Sequence, residues 1–158
     1  MKITVTFDIF DYFKISFTDF AEKKTIQLQN KRWTNSHRRK TQRPGCYAIY
    51  VKDTCLYVGK SISNPGQRVL YHLRSPWSGH TVDETLRKYP ETDLNLAFWL
   101  CDKLCVGILE LYLIQVLKPT LNNQGKLTGN LTIQDRQTFK EIDKALTRAW
   151  EGEFVVNI

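Results

Sequence analysis

Residues 45–59 read GCYAIYVKDTCLYVG. Two short runs rich in aromatic and branched side chains flank Lys52, Asp53 and Thr54, which is the pattern of a β-hairpin. Tyr47 is near the start of the hairpin and Tyr57 near its end, so antiparallel pairing would bring both hydroxyls to one place. Further along, residues 107–117 read GILELYLIQVL, an apolar run with a single acid, Glu110. It reads as a buried helix. Two tyrosines, a lysine directly after the second hairpin run and a buried glutamate suggest a site.

Toward the N-terminus, residues 31–43 read KRWTNSHRRKTQR, with six basic residues, one tryptophan and no acid. The stretch lacks helical periodicity and apolar content and is expected to be a basic loop. Lys31, Arg32, Arg38, Arg39, Lys40 and Arg43 would neutralise phosphates there while Trp33 packs or stacks; a solvated linker is the plainer reading. Residues 2–18 alternate apolar and polar positions, the period of one or two half-buried strands, expected as an extra hairpin capping the core.

Toward the C-terminus, Asn64 and Pro65 supply an N-cap and a first-position proline for a short helix through QRVLYHLR. Arg68 and His72 lie four apart on one face of it, where both can point at the hairpin tyrosines. His72 alone would read as a surface or hydrogen-bonded core histidine. TVDETLRKYP opens with a capping box, Thr81 with Glu84. DLNLAFWLC puts Leu94, Leu96, Phe98 and Leu100 on one face of a third core strand. The next helix is expected from about Lys103 to Lys118, stopped by Pro119. Glu110 in its middle needs a slot of solvent, a partner base such as Arg68, or a bound cation. In PTLNN, Asn122 and Asn123 either cap the turn or brace a polar site. Residues 125–129 are loop-like, Phe139, Ile142, Leu146 and Ala149 follow at helical spacing, and FVVNI reads as an edge strand or a dimer contact.

The 158-residue chain fits one domain with terminal additions, and 42% hydrophobic residues suffice for a core. A formal charge of +7 favours an anionic partner, most commonly nucleic acid. No apolar run is long enough to cross a bilayer, and MKITVTFDIFDYF alternates acids with aromatics unlike a signal peptide. The expectation is a cytoplasmic protein with no membrane partner. Of Cys46, Cys55, Cys101 and Cys105, only the last two are closely spaced, so reduced core thiols are favoured over structural zinc.

With these residues the chain resembles the GIY-YIG nuclease family, including its small endonucleases and repair nucleases, over roughly residues 44–123. The two signature elements stand as GCY and YVG. The family's helix arginine matches Arg68, the polar residue one turn later matches His72, the metal-binding glutamate matches Glu110, and the asparagine after the long helix matches Asn122. Lys60 resembles the lysine found after YVG in several branches. Cys46 departs from the middle residue of the first element, at a position that should face the core. The resemblance implies an α+β fold: a small central antiparallel sheet flanked by helices over residues 44–124. Residues 1–43 would add N-terminal strands and the basic loop, and residues 125–158 a C-terminal helix and strand, in one globular domain overall.

It also implies a metal-dependent DNA endonuclease, a phosphodiester hydrolase acting as a monomer or homodimer. The subtype is a stand-alone restriction or defence enzyme, or else a repair-type or structure-selective nuclease; an inactive nucleic-acid-binding module with the same fold is the rival. Glu110 would hold one divalent cation, Mg²⁺ or Mn²⁺. Tyr47 would accept the proton of the attacking water, directly or through a neighbour, and Tyr57 would orient phosphate or water, with the reverse assignment open. An unperturbed phenol has a pKa of about 10, so Lys60, Arg68 and His72 are expected to supply positive charge favouring the phenolate. Arg68 would also bind the scissile phosphate, and Asn122 would fix Glu110 or its ligands.

Overall fold

The hairpin forms as its side chains dictate. Gly45–Val51 and Thr54–Ser61 pair antiparallel with a bulge between Ile49 and Tyr50, and Lys52 turns the corner in the left-handed region at φ 52°. The computed structural model describes residues 4–7, 9–22, 27–28, 31–32, 36–75, 81–122 and 154–157, with side chains left aside at 4–7, 27–28, 31–32 and 154–157. The strands in chain order are β1 (Thr4–Phe7), β2 (Ile9–Ser16), β3 (Gln27–Leu28), β4 (Lys31–Arg32), β5 (Gly45–Val51), β6 (Thr54–Ser61), β7 (Leu94–Cys101) and β8 (Phe154–Asn157). The α-helices are α1 (Phe17–Ala21), α2 (Ser36–Lys40), α3 (Pro65–Arg74), α4 (Thr81–Leu86) and α5 (Val106–Leu117).

A four-stranded antiparallel sheet in the order β2-β7-β5-β6 forms the centre of an α+β fold. Side chains alternate across it. Tyr47, Ile49, Leu94, Leu96 and Phe98 face one way and pack with Phe17 and Phe20 of α1, Val69 and Leu73 of α3, and Leu86 of α4. Cys46, Ala48, Val58, Ala97 and Cys101 face the other way, against Val106, Leu109 and Leu113 of α5. Helices therefore cover both faces, and the expected strand face of Leu94, Leu96, Phe98 and Leu100 is buried. All four cysteines are buried free thiols, as expected, and Cys46 is fully enclosed with its sulfur 3.4 Å from the Val106 carbonyl. Among the described residues, no helix is long and apolar enough to cross a membrane.

Three expectations change. The N-terminal strands are not a capping hairpin: β2 joins the central sheet along β7, while β1 pairs with β8 in a separate two-stranded sheet. Alternation fixes which side chains are buried but not which strand is the partner. The basic segment is not a plain loop, because Lys31–Arg32 pairs with Gln27–Leu28 and Ser36–Lys40 is helical. Its stabilising partners are remote: the His37 ring lies 5.4 Å from Phe13 and Lys40 reaches Asp11 at 3.6 Å, both on β2. Helix α5 begins at Val106 rather than Lys103, after a turn in which the Asp102 carboxylate accepts from the Leu104 amide at 2.9 Å. Lys118, in the left-handed conformation, closes that helix before Pro119. The helix expected around Phe139 to Ala149 lies outside the described residues.

Gly59 is a tight point of this frame. It pairs directly with Tyr47, and a Cβ at Gly59 would overlap the Tyr47 ring and hydroxyl. Tyr47 cannot yield because it is 1% exposed and wedged in the core. Gly59→Ala is expected to cost about 2–3 kcal/mol by overpacking, lowering the melting temperature by roughly 5–10 °C. Circular-dichroism melts read this; a variant melting like wild type would mean that Tyr47 has room to move.

Candidate active site

The register places the tyrosines diagonally on one face, since Tyr47 pairs with Gly59 and Ile49 with Tyr57. Their ring centroids are 6.2 Å apart. Helix α3 starts where Asn64 accepts from the Gln67 amide at 2.9 Å, with Pro65 in the first turn, and this phase aims His72 at the pair. His72 Nε2 is 2.6 Å from the Tyr47 hydroxyl, and the Tyr57 ring stands edge-on to the imidazole at 5.1 Å. Arg68, one turn earlier and exposed, lies across the Tyr71 ring, near enough for its positive charge to act on Tyr47. The structure thus brings together Tyr47, Tyr57, Arg68 and His72.

Burial pushes the Tyr47 hydroxyl well above its ordinary pKa, and the nearby Tyr57 raises it further; Arg68 opposes both without reversing them. Tyr57 is also raised, first by burial and then by the charge of Glu110. The expectation that three cations favour a phenolate is therefore corrected. Desolvation in the core outweighs the guanidinium, and Lys60 is committed elsewhere: its Nζ lies 2.6 Å from Glu110 Oε2. Glu110 finds its partner in Lys60, across from α5 on the edge strand β6, and not in Arg68.

Asn122 is buried, and its amide pairs with both backbone groups of one residue. Oδ1 accepts from the Val58 amide at 2.9 Å and Nδ2 donates to the Val58 carbonyl at 2.8 Å. With the Leu121 amide donating to the Leu56 carbonyl at 2.9 Å, the segment after α5 continues the sheet beside β6. Asn122 therefore fixes the strand that carries Tyr57 and Lys60, where a hold on Glu110 was expected.

The basic residues divide. Arg39, Lys40 and Arg43 are exposed, but Lys40 stacks over Phe13 and Arg43 over Phe10, on β2 at the far edge of the sheet from β6. Arg38 is partly buried on α2, Lys31 and Arg32 lie on β4, and Trp33 lies outside the described residues. Lys40 and Arg43 are therefore held at the β2 edge and not beside the tyrosines.

The sequence reading missed Asp83. This fully buried carboxylate on α4 is 2.5 Å from His72 Nδ1. It reads as an ordinary first-turn acid; its one signal is that it shares a helical face with Leu86, three residues on and equally buried. Arg87, one turn further, docks α4 on α3 by donating to the carbonyls of His72, at 3.1 Å, and Ser75.

Among the described residues, no three potential metal ligands cluster, so a cage built of protein groups alone is not on offer. Glu110 nonetheless suits a hard cation that keeps most of its water. Its side chain is partly open, one oxygen already holds the Lys60 ammonium, and the other has no hydrogen bond from the described residues.

No family model and no curated protein match the chain. A solved structure similar to it is the GIY-YIG N-terminal endonuclease domain of UvrC from Thermotoga maritima, a point mutant bound to the catalytic divalent cation. The two are 20% identical with a TM-score of 0.43, over 56% of this chain and 98% of that one.

Proposed function

We propose that this chain is a GIY-YIG-type endonuclease that hydrolyses phosphodiester bonds of DNA with a divalent cation. The observation that carries the reading is the 2.6 Å hydrogen bond between Tyr47 and His72 beside the Arg68 guanidinium. A buried phenol is a poor base by itself, but one bonded to an imidazole can take a proton while giving its own away. In the proposed step, water loses a proton to the Tyr47 oxygen as the Tyr47 proton passes to His72 Nε2. The water oxygen forms the new bond to phosphorus, the P–O3′ bond breaks, and the departing oxygen is protonated from solvent. His72 then returns its proton to solvent, restoring the site. Arg68 binds the non-bridging oxygens, where charge accumulates. Tyr57, the more exposed tyrosine, orients phosphate or water. Glu110 would hold Mg²⁺ or Mn²⁺, which stabilises charge on the phosphate and the leaving oxygen.

The net charge of +7 supports a polyanionic substrate, with Lys60, Arg68 and exposed Arg39 as phosphate contacts. One observation favours a second reading, a binding module without turnover: the Lys60 ammonium gives Glu110 a partner that makes a metal unnecessary. Supercoiled plasmid incubated with Mg²⁺ and with EDTA separates the two. Nicking or linearisation that EDTA abolishes is expected, and the share of linear product tells whether two copies act together. Salt-sensitive binding without cleavage of plasmid, branched or single-stranded DNA would establish the binding module.

A further inference from the structure

We propose that Asp83 is a positioning residue that holds His72 as its Nδ1–H tautomer, leaving Nε2 bare to accept from the Tyr47 hydroxyl. The inference rests on the nuclease reading for its consequence but not for its geometry. Asp83, His72 and Tyr47 form an unbroken line from α4 through α3 to β5, with contacts of 2.5 Å and 2.6 Å at the two ring nitrogens. All three are buried, at 0%, 5% and 1% exposure. An ionised carboxylate only accepts hydrogen bonds, so the proton between Asp83 and His72 sits on Nδ1. A neutral imidazole carries one proton, so Nε2 is then the acceptor. The hydroxyl of Tyr47, kept protonated by its burial, is the donor that fits it.

A carboxylate at 0% exposure is expensive to keep. The core would be served as well by an apolar side chain, as it is by Leu86 on the same face. The second oxygen of Asp83 is buried with no hydrogen-bond partner, so the group is not there to complete a polar network. What it does satisfy is the one imidazole nitrogen that faces away from the tyrosines. Once Tyr47 hands its proton to Nε2, the imidazolium keeps Nδ1–H against the carboxylate, and Asp83 stabilises the charge that the step creates. Tyr57 on β6 also faces the ring, edge-on.

Two-bond proton–nitrogen correlation spectra distinguish the two neutral tautomers directly, and the chain has only three histidines to assign. At about pH 8, well above the ordinary imidazole pKa, wild-type His72 is expected as the Nδ1–H form. Asp83→Asn, checked for folding by its melt, is expected to shift the ring to the Nε2–H form or a mixture. Its kcat on DNA should fall on the order of 10²- to 10⁴-fold with KM little changed. An Nε2–H tautomer in the wild type would overturn the proposal, as would an Asp83→Asn variant with unaltered tautomer and rate. If that variant does not fold, the wild-type spectrum decides alone. The tautomer is read without substrate, so a chain that cuts no DNA yet shows the Nδ1–H form fails the nuclease reading and supports this one.

Discussion

Tyr47→Phe is expected to slow DNA cleavage by about 10²- to 10⁴-fold, the usual contribution of a positioned proton acceptor. The substitution removes one oxygen from a ring that is otherwise a core aromatic, so the sheet should survive. It leaves His72 Nε2 without its hydroxyl partner in a buried place, at a cost of about 1–3 kcal/mol. A small fall in melting temperature together with a large fall in rate is therefore the signature. The pH dependence separates the relay from a phenolate base. At pH 7 even an unperturbed phenol is ionised in only about one part in a thousand, and burial makes the Tyr47 fraction smaller still. Were the phenolate the base, cleavage would keep climbing tenfold per pH unit beyond pH 10. A relay through His72 needs no phenolate, so the rate should level off well before that range. Continued log-linear rise to alkaline pH would replace the relay by a phenolate base, and full activity in Tyr47→Phe would remove Tyr47 from the mechanism.

The parts of this site that sequence revealed are those set by local chemistry. The hairpin follows from two β-rich runs around a short turn, but a strict two-residue period would pair Tyr57 with Ala48, and it is the bulge between Ile49 and Tyr50 that brings Tyr57 onto the face of Tyr47. Asn64 and Pro65 fix the start of α3, and the start fixes the phase that aims Arg68 and His72. What stayed hidden depended on partners far along the chain. Lys60 faces α5 because β6 alternates, yet its pairing with Glu110 requires knowing which helix covers that face. Asn122 looked like part of a polar site, but its amide substitutes for a peptide group along β6, a role that only the path after α5 reveals. Asp83 lies in a helix too short to show an apolar stripe, so its burial left no trace beyond the three-residue spacing to Leu86. The basic segment misled for the opposite reason: α2 leans on Phe13 and Asp11 of β2, which its own composition does not announce.

Glu110→Ala is expected to abolish metal-dependent cleavage, with a loss of about 10³-fold or more if the cation contributes several kcal/mol to the transition state. Stability decides what the loss means. Lys60 is 46% exposed, so removing the carboxylate returns the ammonium to water and strands no buried charge. Alanine is also a better helix former in the middle of α5. Since a partly exposed ion pair is worth about 1 kcal/mol or less, the melting temperature should move by only a few degrees. Calorimetry on Glu110→Ala beside plasmid cleavage therefore separates two roles for one side chain. A carboxylate kept for the Lys60 pair would show its loss in the melt and leave cleavage intact. A carboxylate kept for a cation would show the reverse, and the wild type alone should gain in melting temperature on adding Mg²⁺ or Mn²⁺, because a ligand that binds only the folded chain stabilises it. Lys60→Met sharpens the test. Without its ammonium, Glu110 should bind the cation more tightly, since the metal no longer displaces a competing positive charge, and the metal-induced shift should grow. A shift that persists unchanged in Glu110→Ala would place the cation elsewhere in the molecule.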